Sequence, residues 1–290
     1  MVGVAGGPPL TAYMGRRQTD PVEFFERIGL RFPVVDAGDP NGPAVVLLHG
    51  FPQLPASFDG VLPALHAAGL RTLVPTARGY APEARPPTRR EYGAAETAAD
   101  VIALLDAAGL DRAHVVGHDW GGAQAWAAAA VYPERIASLT ALSTPHPAAM
   151  RWAFTHSRQA FVSWYMGLFQ LPRLPELIAA RSLATSLRSS GVPEPYVAAY
   201  AKAMAEPGAL TGALNWYRGI PFSSDRTSAR TVVPTTYVWG RNDFALSRAA
   251  AEKTADFVDG PYRFVELDAG HWLPEREPDA VAAAVLDRIG

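Results

Sequence analysis

Short apolar runs alternate with stretches of helical periodicity along this chain, and that alternation predicts an α/β fold. Ala44–Leu48 is an unbroken apolar run closed by His49-Gly50, the pattern of a strand buried on both faces. Ser57–Ala68 reads as a helix stopped by Gly69, and Arg71–Pro75 as a second strand. Over Glu96–Ala108, the residues Val101, Leu104, Leu105 and Ala108 recur at helical spacing, and Gly109 ends the run. Ala113–Val116 reads as a strand, Ala123–Val131 as an alanine-rich helix ended by Pro133, and Ile136–Leu142 as a strand. Successive strand–helix units of this kind predict a mainly parallel sheet with helices on both faces.

The pattern then breaks. From His146 to about Arg226 there is no strand-like run, and the stretch is helical, aromatic and punctuated by proline. Alternation resumes with a strand at Val232–Trp239, a helix at Ser247–Phe257, a strand at Tyr262–Leu267 and a last helix at Pro278–Ile289. The expected organisation is an α/β core from 1–145 and 227–290, with 146–226 inserted as a helical block. The Gly/Pro-rich start, about 20 residues, is expected to be loosely ordered.

Composition narrows the function classes. Lysine and arginine number 26 against 28 acidic residues, so the whole chain has no electrostatic footprint for nucleic acid or an anionic membrane. There is no cysteine, which excludes disulfides, thiolate metal sites and cysteine nucleophiles. The N-terminus lacks a basic segment followed by an apolar stretch, so no signal peptide is expected. The most apolar run, Ala123–Tyr132, is too short to span a bilayer. A cytoplasmic monomer or homodimer is the expectation. No histidine pairs with a second ligand at metal spacing, so neither metal nor cofactor is expected.

The candidate chemistry sits where strands end. Gly117-His118-Asp119-Trp120-Gly121-Gly122 follows a buried strand and opens a helix. This is the pattern of a nucleophile elbow with aspartate in the place of serine. Small residues are needed because the tight turn brings backbone segments too close for a Cβ. The helix N-terminus behind the turn favours an anion there. A plain helix-capping aspartate would explain Asp119 alone, but not the motifs around it. His49-Gly50-Phe51-Pro52 follows another strand, and in this arrangement the amides of Phe51 and Trp120 would form an oxyanion hole. Asp243 ends Val238-Trp239-Gly240-Arg241-Asn242-Asp243, and His271 lies in Ala269-Gly270-His271-Trp272-Leu273-Pro274. Together they complete the chain order nucleophile, acid, histidine.

These motifs resemble the α/β-hydrolase superfamily across nearly the whole chain. The Gly-His-Asp-Trp-Gly-Gly form is similar to epoxide hydrolases and haloalkane dehalogenases. Phe51 and Ser143-Thr144-Pro145-His146-Pro147 bring it closer to soluble epoxide hydrolases. The resemblance implies that the inserted helices form a cap, and that two cap tyrosines bind and protonate an epoxide oxygen. One lies in a motif matched by Leu214-Asn215-Trp216-Tyr217-Arg218, which points to Tyr217. The other directly precedes Phe-Gln-x-Pro. Here Leu168 stands before Phe169-Gln170-Leu171-Pro172, and Tyr165 lies about one helical turn earlier. Tyr165 is therefore the candidate second phenol. His146, Trp164, Leu168 and Trp216 are the further candidates for contact with substrate.

An aspartate, with an ordinary pKa of about 3.9, is ionised at neutral pH and needs no base to attack a saturated carbon. His271, oriented by Asp243, is then reserved for activating water against the resulting ester. The expected reactants are a small apolar molecule and water. A dehalogenase using the same Asp-His-Asp set is the first alternative. A biosynthetic or binding protein that kept the fold but changed its substrate is the second. An ordinary esterase ranks below both, because aspartate attack on an acyl group gives a mixed anhydride.

Overall fold

The computed structural model describes residues 19–290; the N-terminal segment expected to be loosely ordered lies almost wholly outside them. Eight strands form one sheet: β1 (Phe24–Arg27), β2 (Leu30–Gly38), β3 (Ala44–Leu48), β4 (Arg71–Pro75), β5 (Ala113–His118), β6 (Ile136–Leu142), β7 (Thr235–Gly240) and β8 (Tyr262–Leu267). Their spatial order is β1-β2-β4-β3-β5-β6-β7-β8. β1 and β2 pair antiparallel, as do β2 and β4, and every other pairing is parallel.

The helices are α1 (Leu62–Ala67), α2 (Ala94–Ala107), α3 (Trp120–Val131), α4 (Pro147–His156), α5 (Gln159–Val162), α6 (Trp164–Leu168), α7 (Leu174–Ser189), α8 (Glu194–Ala205), α9 (Ala209–Gly219), α10 (Arg248–Lys253), α11 (Leu273–Arg276) and α12 (Pro278–Ile289). β3 shows why both faces of the sheet are covered. Val46 and Leu48 join one core with α2 and α3, while Val45 and Leu47 join a second core with α1 and α12. Successive strand residues point to opposite faces, so a wholly apolar strand needs two cores.

Helices α4 to α9 lie between β6 and β7, where the strand pattern lapses. α4 packs against α10 and the Asp225–Ser228 turn: Lys253 Nζ sits 4.9 Å from the Trp152 ring, and Arg151 donates to Ser228 at 2.8 Å. α9 is buried at every position except Thr211.

Several boundaries differ from the sequence expectation. The helix expected over Ser57–Ala68 is a 3₁₀ turn at Pro55–Phe58 followed by α1. Pro63 has no N–H to donate and is tolerated only in a first turn, so the helix begins just before it. β7 starts at Thr235, after Pro234, for the same reason. The helix expected at Ser247–Phe257 is α10 continued by a 3₁₀ turn, Thr254–Phe257. The β1–β2 hairpin was not anticipated. It turns at Ile28-Gly29, both at positive φ (48° and 77°), and Phe25 stacks on Phe32 at 4.5 Å.

The sheet order creates the place for a site. β3 lies between β4 and β5, so the chain leaves it toward one edge and returns on the other side. Ligands in open parallel sheets bind beyond the strand carboxyl ends at such a reversal. Phe51 follows β3 there and Asp119 follows β5.

Candidate active site

The β5–α3 turn holds Asp119 at φ 52°, ψ −120°, a strained conformation for a residue with a Cβ. A Cβ built on Gly121 would lie 2.0 Å from the Leu48 carbonyl oxygen, and one on Gly50 would lie 2.6 Å from Asp119 Oδ1. The turn can therefore approach β3 only because these positions are glycine. The Phe51 amide donates to Asp119 Oδ1 at 2.7 Å. Oδ2 faces His271 Nε2 at 3.6 Å, beyond direct hydrogen-bond distance.

On its other side, His271 Nδ1 lies 2.9 Å from Asp243 Oδ2. Asp243 Oδ1 accepts from the amides of Ala245 and Leu246 at 2.7 and 3.0 Å. This fully buried carboxylate is thus fixed by the loop after β7. The structure brings Asp119, His271 and Asp243 into one line from three strand ends.

Charge in this line is mutual. Burial alone would raise the Asp119 pKa, but His271 beside it and the Phe51 amide outweigh burial and hold it below the ordinary carboxylate value. Burial pulls the His271 imidazolium down, yet Asp243 and Asp119 together raise it to about 10.

A cavity of about 310 Å³ opens above Asp119. Its wall is mostly apolar. Tyr165, Trp164 and Leu168 of α6 and Tyr217 of α9 all line it, as do Phe51 and His271. Tyr165 and Tyr217 meet edge to face, with ring centroids 6.1 Å apart. Burial raises the pKa of both phenols, and the Asp119 charge adds to the rise in each. Both therefore stay protonated and available as donors. The Tyr217 ring also packs against Trp120 at 4.8 Å and Phe51 at 5.5 Å.

Two expected substrate contacts are corrected. His146 is buried away from the cavity, where it caps α4 by accepting from the Ala148 amide at 3.1 Å and stacks on Phe257. Trp216, on the far side of α9 from the cavity, donates to the Arg78 carbonyl at 2.7 Å and packs behind Trp120. Both matched a motif, but motif membership does not say which way a side chain points.

Sequence reasoning missed a buried hydrogen-bond chain under the site. Gln53 Oε1 accepts from the Gly50 amide at 2.7 Å and lies 2.8 Å from His118 Nδ1. His118 Nε2 lies 2.8 Å from the backbone oxygen of His271, which Ser143 Oγ also reaches at 2.8 Å. Gln53 Nε2 donates to Glu275 Oε1 at 2.7 Å, and Tyr200 of α8 donates to the same oxygen at 2.8 Å. The chain connects the loops carrying Phe51, Asp119 and His271 to the helical insertion. Gln53 follows His-Gly-Phe-Pro directly, but nothing in the sequence pairs it with Glu275, 222 residues away. Among the described residues, no cluster of three or more His, Cys, Asp or Glu side chains could hold a metal ion.

Residues 43–278 match the family model described as alpha/beta hydrolase fold. The chain is 33% identical to Epoxide hydrolase A of Mycobacterium tuberculosis, over 89% of this chain and 94% of that one. It is also 33% identical to the AB hydrolase superfamily protein YfhM of Bacillus subtilis, over 92% of this chain and 97% of that one. Among solved structures, the crystal structure of Epoxide Hydrolase A from Mycobacterium thermoresistibile superposes with a TM-score of 0.80 at 29% identity. That match covers 93% of this chain and 98% of the other.

Proposed function

Because the chain belongs to the α/β-hydrolase superfamily, in its epoxide hydrolase-like branch, we propose that it opens epoxides to vicinal diols through a covalent ester on Asp119. One observation carries the reading. A buried carboxylate at the elbow has one oxygen held by an amide and the other facing an imidazole, with two phenols in the same cavity.

The oxygen held by the Phe51 amide, Oδ1, is already in the oxyanion position, so Oδ2 is the nucleophile. Oδ2 attacks an epoxide carbon, and that carbon's bond to the ring oxygen breaks. The ring oxygen leaves as an alkoxide, which takes a proton from Tyr217 or Tyr165. General acids placed in this way contribute about 10²- to 10⁴-fold. The helices carrying both tyrosines act as a cap that keeps bulk water from the alkoxide.

The ester is then an alkyl group on Oδ2, with Oδ1 as its carbonyl oxygen. His271 removes a proton from water, and the hydroxide adds to the Asp119 carboxyl carbon. Negative charge moves onto Oδ1 beneath the amides of Phe51 and Trp120, and each such donor is worth about 3–4 kcal/mol. The carboxyl carbon–Oδ2 bond breaks as the His271 imidazolium returns its proton to Oδ2, which leaves as the second hydroxyl of the diol. Water's oxygen remains in Asp119, and the proton that the added hydroxyl gives up restores the tyrosine. Water supplies the only new atoms, so no cofactor takes part.

Forming the ester also solves a problem of protonation. With Asp119 ionised, His271 is too basic to be neutral at pH 7. Alkylation removes one of its two flanking charges, lowers its pKa and frees it to act as a base.

A single turnover in ¹⁸O-water with excess enzyme tests the mechanism. Label is expected in the peptide containing Asp119. Label in the diol alone, with none in the enzyme after many turnovers, would exclude the ester. Halide release from chloroalkanes without any diol from styrene oxide would favour the dehalogenase reading instead.

A further inference from the structure

The whole chain carries slightly more acid than base, but the charge is not evenly spread. Residues 147–222 hold seven lysines and arginines against three glutamates, in a chain of formal net charge −2. The helical insertion is therefore a basic body on an acidic core. Two of its glutamates are already paired, Glu176 with Arg218 and Glu194 with Arg188. Among the described residues, Arg158, Arg173 and Arg181 form no ion pair and are exposed.

The same body exposes large apolar side chains. Phe161 of α5 is 81% exposed, Trp164 of α6 is 67% exposed, and Leu174, Leu177 and Ile178 project from the first turns of α7. Arg158 lies three residues before Phe161, Arg173 directly before Leu174, and Arg181 one turn after Leu177. Trp164 and Ile178 line the cavity above Asp119 as well as facing solvent, so they are its rim. The entrance to the cavity thus opens inside the exposed apolar face.

No helix among the described residues is long and apolar enough to cross a membrane. Lying on one is a different arrangement. It takes an apolar face with a tryptophan and an excess of arginines around it. The one glutamate of the insertion that forms no ion pair among the described residues, Glu206, lies in the groove that Arg173 and Arg181 also line, and the unpaired arginines outnumber it. From this apolar face, its three unpaired arginines and the cavity entrance within it, we infer that the helical insertion docks on the surface of an anionic lipid bilayer. An apolar substrate dissolved in the lipid would then enter the cavity without crossing water. That last step rests on the epoxide hydrolase reading; the docking surface does not. The near-zero net charge of the whole chain, which argued against a membrane, averages over two bodies of opposite sign.

The arginines are complementary to phosphate-bearing lipid, where each basic side chain near the surface adds about 1 kcal/mol, or about fivefold in partitioning. A second copy of the chain would carry the same positive charge on the same face, and the two faces would repel.

Full-length protein is sedimented with vesicles of phosphatidylcholine plus phosphatidylglycerol, and with vesicles of phosphatidylcholine alone. Binding is expected only to the anionic vesicles and should weaken as salt rises. Arg158→Gln/Arg173→Gln/Arg181→Gln is expected to lose at least about tenfold in partitioning, and so is Phe161→Ser/Leu177→Ser. None of these side chains lines the cavity, so both variants should hydrolyse a water-soluble epoxide at the parent rate. Absence of binding by the parent protein overturns the inference. So does equal binding to both vesicle types, or a parent protein that sediments as a dimer through this face and leaves the vesicles free. These binding results need no epoxide, and a protein that binds vesicles but opens no epoxide would refute the proposed function alone.

Discussion

Asp119 is a carboxylate in a place where burial disfavours charge, and its neighbours reverse that. His271 and the Phe51 amide keep it ionised, and it in turn raises His271. Two predictions follow from this mutual dependence. His271→Gln should accumulate the alkyl-enzyme to one equivalent per site, seen as a mass increase on the Asp119 peptide. In the parent enzyme, decay of that ester should speed up with pH through a midpoint below about 10, because the ester no longer carries the Asp119 charge. A midpoint at or above that value would show that Asp119 does not govern His271. The folded His271 pKa is raised, so the stability it contributes is complete below its unfolded pKa of about 6.5 and is lost as pH climbs toward about 10. The parent melting temperature should fall over that range more steeply than that of His271→Gln.

The two phenols can be separated at the same scale. Tyr217→Phe and Tyr165→Phe should each slow ester formation by about 10²-fold or more, measured by stopped-flow quenching of tryptophan fluorescence. If Tyr165→Phe forms the ester at the parent rate, Tyr165 packs the wall and one phenol does the work. Tyr165 stands one helical turn before Leu168, and both side chains line the cavity. The sequence offered a tyrosine at the wrong position. The helix geometry puts it on the same wall.

At the scale of elements, Ala44–Leu48 was legible because burial on both faces leaves nothing polar in it. In the other strands the apolar run stood out despite polar members such as Arg71, Ser138, Arg263 and Glu266. Ala44–Leu48, Arg71–Pro75, Ile136–Leu142 and Tyr262–Leu267 have the bounds the sequence implied. The β1–β2 hairpin was missed because β2 mixes exposed and half-buried positions, and its alternation is broken by Pro33. Helix starts were misread where proline allows only a first turn. The elbow was legible because it demands glycine at fixed positions. Gly121→Ala puts a Cβ against the Leu48 carbonyl, and the turn has no second way to pass β3. It should cost about 3 kcal/mol or more and lower the melting temperature by roughly 6–12 °C.

Across the whole molecule, the insertion is joined to the core under the active site as well as above it. Tyr200 reaches Glu275, and through Gln53 and His118 the same chain reaches the His271 backbone. Tyr200→Phe removes one donor from a buried carboxylate and should destabilise the protein by about 1–2 kcal/mol, lowering the melting temperature by roughly 2–8 °C. A loss of this size, with ester formation unchanged, would mark Tyr200 as a tie between the two bodies.

By itself, the sequence determined the fold class, the interrupted sheet and the identity of Asp119, Asp243 and His271 as a set. Each depends on local rules: periodicity, glycine at a strained turn, and position at a strand end. Only the tertiary structure decided that His146 and Trp216 face away from the cavity and that Tyr165 faces into it. It also decided that Gln53, His118, Glu275 and Tyr200 form one chain. Those outcomes depend on side-chain direction and on partners far apart in the sequence, which only packing sets.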